Sequence, residues 1–101
     1  RDDGTFHGWA ELAQTDCEVG QVSVHTRDGR VLYLNDRRKH SSSPWKGLYL
    51  GGDGSVIMAV EEEELADGTE EVRAGVSDPD FGTRMTYLPA SEIVRVNLRM
   101  K

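Results

Sequence analysis

The run Arg37-Arg38-Lys39-His40, with Lys46 and Trp45 close behind, is the chain's one basic cluster. It has the ingredients of a phosphate contact beside an aromatic ring on which a base can stack. The same residues also fit a solvated loop whose Trp45 folds back over one end of a barrel. A second cluster has the opposite sign: Glu61, Glu62, Glu63, Glu64, Asp67, Glu70 and Glu71. Carboxylates so placed could recruit a basic partner or hold Ca²⁺ loosely. Consecutive residues of a strand point to opposite faces, however, so Glu62 and Glu64 share one side and at most half the run can converge on an ion. The Asp/Asn spacing of an EF-hand loop is also missing. A solvated, projecting hairpin that blunts edge-to-edge aggregation is therefore expected, with Glu62 and Glu64 as its interaction residues.

Other chemistry-bearing residues are scattered. Asp78 and Asp80 could form a metal or general-acid pair, but Asp-Pro and Phe-Gly around them are ordinary turn chemistry. His7, His25 and His40 lie far apart, and Cys17 is the single cysteine, so no metal-ligand spacing is formed. Ser42 lies in no nucleophile elbow. Gly51-Gly52-Asp53-Gly54 lacks the following Lys of a phosphate loop. The sequence carries no catalytic signature and implies no cofactor. A small metal-dependent hydrolase using Asp78, Asp80 and a His is the remotest reading.

Composition narrows the setting. With 18 acidic and 12 Lys or Arg residues the net charge is −6, which opposes uniform attraction to nucleic acid. No stretch approaches the ~20 apolar residues that span a bilayer, and no membrane partner is expected. One cysteine permits no intrachain disulfide, and a cytoplasmic setting is the expectation. At 101 residues the chain reads as one small domain. Its start at Arg1 without a Met suits a piece of a longer protein.

The elements that must position these residues are short strands. Three Asp-Gly pairs, Asp28-Gly29, Asp53-Gly54 and Asp67-Gly68, sit between alternating apolar runs as hairpin turns. In the first hairpin a two-residue turn would set Thr26 opposite Val31 and Val24 opposite Tyr33. Residues 36–47 read as a loop. Val56 to Val60 is apolar on both faces and is expected to run through the middle of the fold. A one-turn helical corner is expected after Pro89, followed by a last strand with Val94, Val96 and Leu98 inward, or Ile93 and Asn97 if the other face is buried. Residues 5–14 fit either a short helix, the slightly favoured reading, or a strand that alternates Phe6 with His7 and Trp9.

The closing stretch Tyr87-Leu88-Pro89-Ala90-Ser91-Glu92-Ile93-Val94-Arg95-Val96 resembles the end of Sm-like, SH3-like and PRC-type small barrels. There a strand ends in Pro, a helical corner follows, and an Ile precedes a Val-x-Val strand. The hairpin around Asp28-Gly29 resembles the bent first hairpin of the same folds. The resemblance implies a mainly β fold, a small antiparallel β-barrel of five or six strands with a short N-terminal helix, and carries no binding residues across. The functional expectation is a noncatalytic module for protein interaction or self-association. Its contact residues would be Arg37, Arg38, Lys39, His40, Trp45, Lys46, Glu62 and Glu64, with edge strands contributing. Nucleic-acid binding through the basic loop is the alternative.

Overall fold

The computed structural model describes residues 19–100. The choice of helix or strand at residues 5–14, with His7, Trp9 and Cys17, lies outside the described residues. The described chain is mainly β. Its strands are β1 (Val19–Thr26), β2 (Val31–Leu34), β3 (Leu48–Leu50), β4 (Val56–Met58), β5 (Glu62–Glu64), β6 (Glu70–Val72), β7 (Ser77–Asp78), β8 (Gly82–Thr83), β9 (Thr86–Leu88) and β10 (Ile93–Met100). Three 3₁₀ turns cover Arg37–His40, Pro44–Gly47 and Ala90–Glu92. The last of these is the expected corner after Pro89. None of the described helices is long and apolar enough to cross a membrane.

The strands form a five-stranded sheet in the order β10-β1-β2-β5-β6, a three-stranded sheet β3-β4-β9 and a small β7-β8 ribbon, all antiparallel. One core serves both larger sheets: Val22, Val24, Leu32 and Leu34 from the first meet Leu48, Val56, Met58 and Leu88 from the second. Each fully buried aliphatic chain here contributes about 1.5–3 kcal/mol. As the two apolar faces of residues 56–60 predict, β4 is central, paired with β3 on one side and β9 on the other. The chain then passes from one sheet to the other within three residues. Ala59 N–H donates to Gly47 O on the first side of this corner, and Glu61 N–H donates to Tyr33 O on the second.

The Asp-Gly turns are present, but their register differs from a two-residue hairpin by one position. Val24 stands opposite Leu32 and Ser23 opposite Tyr33. All three turns are built alike. Thr26 N–H donates to Arg30 O, Gly51 N–H to Ser55 O and Leu65 N–H to Thr69 O, each closing a three-residue loop. The third loop residue is Gly29, Gly54 or Gly68, with φ near +90° (88, 92 and 89°). This is a type I turn followed by a left-handed residue, the G1-bulge form, and glycine is the residue that accepts that φ. Because strand side chains alternate, the one-residue shift places Leu32 and Leu34 inside and Tyr33 outside.

A bulge also corrects the last strand. His25 pairs with Arg95 but Thr26 pairs with Ile93, so Val94 is the extra residue. Val94 is therefore 61% exposed, while Ile93, Val96 and Leu98 pack on the core.

Candidate functional site: two charged surfaces

Residues 36–47 are two short 3₁₀ turns where a loop was expected. Asp36 caps the first by accepting Arg38 N–H, and its carboxylate also takes the Arg38 guanidinium at 2.9 and 3.0 Å. His40 does not join the surface patch that its neighbours suggest. It is 3% exposed, because the turn directs it beneath the loop, where its Nε2 lies 3.1 Å from Glu61 Oε2. Its Nδ1 has no hydrogen-bond partner. Lys39 and Arg38 stay exposed.

The second turn is unusual. Trp45 (φ 53°) and Lys46 (φ 54°) both adopt the left-handed region that bulky residues avoid. Such backbone costs of order 1–3 kcal/mol per residue and persists only where its surroundings over-determine it. Arg37 supplies part of that constraint: its Nη2 donates to Trp45 O at 2.9 Å and its Nε to Lys46 O at 3.2 Å. Gly47 (φ 83°) then lies so close to His40 that an added Cβ would meet the His40 Cβ at 3.0 Å. The outcome is an indole held out in solvent. Trp45 is 51% exposed and packs against Tyr49, centroids 4.9 Å apart and tilted by 45°.

Beside this turn runs a groove of about 750 Å³. Arg37, Arg38 and Lys46 line it from the 3₁₀ turns, Gly20 and Arg99 from the paired ends of β1 and β10. Asp36, its one acidic lining residue among those described, is engaged by Arg38. Arg99 was no part of the sequence-based patch. Only the β1–β10 pairing brings it there, sixty residues from Arg37 and Arg38.

The acidic run is divided by its strand. Glu63 turns inward, 4% exposed, and binds Arg73 at 2.5 Å and Arg30 at 3.6 Å. Glu61 is a connector at the corner: its Oε1 accepts Asn35 N–H and Asp36 N–H at 2.6 and 3.1 Å. The run thus serves the sheet's interior through Glu63, while the turn at Asp67-Gly68 and β6 stand exposed as the solvated hairpin expected. Glu62 and Glu64 do share the outer face, as alternation predicts.

That outer face has a charge gradient that no local stretch of sequence displays. From the register, its residues are Arg95, Asn97 and Arg99 on β10, Gln21, Ser23 and His25 on β1, Val31 and Tyr33 on β2, Glu62 and Glu64 on β5, and Glu70 and the exposed Val72 on β6. Cations lie at one end and carboxylates at the other. A side-chain relay joins them: Arg99 Nε donates to Gln21 Oε1 (2.9 Å), Gln21 Nε2 to Asn35 Oδ1 (3.2 Å), and Asn35 Nδ2 to Glu62 Oε1 (2.9 Å). Both amides point their oxygens at the cation and their N–H groups at the anion. A shallow concavity of about 600 Å³ lies on this face, lined by Tyr33, Ser23 and Asn97 among others. Burial, helped by Glu64, Glu70 and Glu62, pushes the Tyr33 phenol above its ordinary range.

Asp78 and Asp80 do not form a pair. The Asp78 Oδ1 accepts the N–H groups of Asp80 and Phe81, so it shapes its own turn. Among the described residues no three His, Cys, Asp or Glu side chains gather where they could hold a metal. Comparison with known proteins finds no matching family model, no matching curated protein and no matching solved structure.

Proposed function

We propose that this domain is a noncatalytic interaction module that associates with copies of itself through the outer face of the five-stranded sheet. The observation that carries the reading is the separation of charge on that face, Arg95 and Arg99 opposite Glu62, Glu64 and Glu70, with Tyr33 between them. A two-fold axis near Tyr33 would lay the cationic end of one copy on the anionic end of the next, and the reverse. Such a surface is self-complementary, which is the requirement of an isologous dimer. The relay through Gln21 and Asn35 holds both ends in place before contact, which lowers the ordering penalty of association. The scaffold in this proposal is a small barrel-like fold of Sm or SH3 type, its two sheets serving as halves joined at residues 59–61.

Size exclusion with light scattering across salt and concentration tests this. The expected result is a dimer that loosens as salt rises, because opposite charges at a wet interface are screened. The double variants Arg95→Glu/Arg99→Glu and Glu62→Arg/Glu64→Arg should each be monomeric alone and should pair with one another when mixed. A wild-type monomer at every salt and concentration sinks the proposal, as does a dimer that neither double variant weakens.

A further inference from the structure

An adjoining surface, which shares Gln21 and Arg99 with the outer face of the five-stranded sheet, carries a second binding activity. We infer that the groove beside the two 3₁₀ turns, together with the Trp45–Tyr49 pair that adjoins its lining residue Lys46 in the chain, is a site for single-stranded nucleic acid. The chemistry of that ligand is a line of phosphates with bases free to stack, and the structure offers a counterpart to each part. Arg38, Lys46 and Arg99 converge on the groove from three separate elements. Lys46 adjoins Trp45 in sequence, and Trp45 and Tyr49 present exposed rings. Base stacking on such rings tolerates any sequence, because every base has a π-face.

One feature favours this ligand over an acidic peptide: the left-handed backbone at Trp45 and Lys46, pinned by Arg37. An unfavourable conformation that leaves an indole half-exposed is a sign of use, and an acidic peptide needs no indole. The net charge of −6 opposes any polyanion, and the Glu62 carboxylate reaches the groove-lining Asn35 at 2.9 Å, so the expected binding is weak and steeply salt-dependent.

The test is fluorescence anisotropy at low salt with labelled oligo(dT) and oligo(U), a duplex of equal length as control and polyglutamate as competitor. Expected is binding of both single strands in preference to the duplex, weakening as salt rises. Trp45→Ala should lower affinity by about five- to a hundredfold, the range of one lost stacking contact. Trp45→Phe, which keeps an aromatic face, should retain most of the binding, and Tyr49→Ala carries the same test should Trp45→Ala fail to fold. Arg38→Gln and Lys46→Gln should each reduce the salt slope by about one. The inference is overturned if no single strand binds at low salt, if duplex binds equally well, if aromatic removal leaves affinity unchanged, or if polyglutamate occupies the groove equally well.

Discussion

The Nε2 of His40 lies 3.1 Å from Oε2 of Glu61, and the other oxygen of the same carboxylate accepts Asn35 N–H and Asp36 N–H. One side chain at the corner between the sheets thereby anchors the start of the 3₁₀ loop and the ring beneath it. Removing it strands a buried imidazole and two backbone donors together. Glu61→Ala should therefore destabilise the domain by about 2–4 kcal/mol, from hydrogen bonds to a charged acceptor worth about 1.5–3 kcal/mol each and only partly recovered by water. Glu61→Gln keeps an acceptor for the backbone and should lose less. Chemical denaturation of the three proteins checks the order.

Gly47 should be among the least replaceable residues. Its φ of 83° disfavours any side chain. A Cβ there would also press on His40, with contacts of 3.0 and 3.2 Å to its Cβ and Cγ. Gly47→Ala should cost about 1–3 kcal/mol and should move the amide resonances of Trp45 and His40 together. Gly68→Ala is the control: its φ is similar but nothing lies within 4 Å of the added carbon, so its cost should be smaller by the steric part. Melting temperatures of the two variants measure that difference.

Four aspartates, three in the hairpin turns and Asp36 at the head of the 3₁₀ loop, contribute to the acid limb of stability. Hydrogen bonds hold the carboxyl groups below their ordinary range, from Thr26 to Asp28, Arg38 to Asp36, Ser55 to Asp53 and Thr69 to Asp67. A folded-state pKa below the unfolded one means the folded chain holds its protons less tightly. The resulting stability is fully present above about pH 4 and is lost as pH falls through the lowered values. Asp53→Asn and Asp67→Asn should flatten the decline of unfolding free energy below pH 4 and lower the neutral value by a comparable amount, because the amide never gains the charge. An acid limb as steep in the double variant as in the wild type would contradict this.

Much of this scaffold is legible in sequence because its signals are local. An Asp-Gly pair between apolar runs announces a turn, and the double-faced run from Val56 announces a central strand. The errors arise where a distant partner decides. Asp28-Gly29 does not reveal whether Gly29 is the second or third loop residue, and that single count sends Tyr33 outward in place of Leu32. Nothing near His40 shows that Glu61 will draw it under the loop. Within the acidic run, alternation separates Glu63 from Glu62 and Glu64, but which side is interior depends on Arg30 and Arg73. Arg99 joins the basic groove through ladder pairing alone, so no reading of the 37–46 cluster could include it.

Tyr33 offers a direct reading of the charge on the outer face. Its phenol is raised first by burial, then by Glu64, Glu70 and Glu62. Ionising it would set a phenolate beside carboxylates, so the folded state keeps the proton longer than the unfolded chain does. The matching stability is complete below the unfolded tyrosine value, about pH 10, and is lost as pH rises through the folded one. Glu64→Gln removes the largest of the charge contributions and leaves burial in place. The Tyr33 titration should therefore move down toward the ordinary tyrosine range without reaching it, and the alkaline loss of stability should shrink in step. The three tyrosines can be followed separately by the ¹³C resonance of the ring carbon bearing the hydroxyl. Tyr49 and Tyr87 lie off this face, in the three-stranded sheet, and serve as internal controls. A Tyr33 titration unmoved by Glu64→Gln would mean that the carboxylates do not converge on the ring, and with them would go the anionic half of the proposed interface.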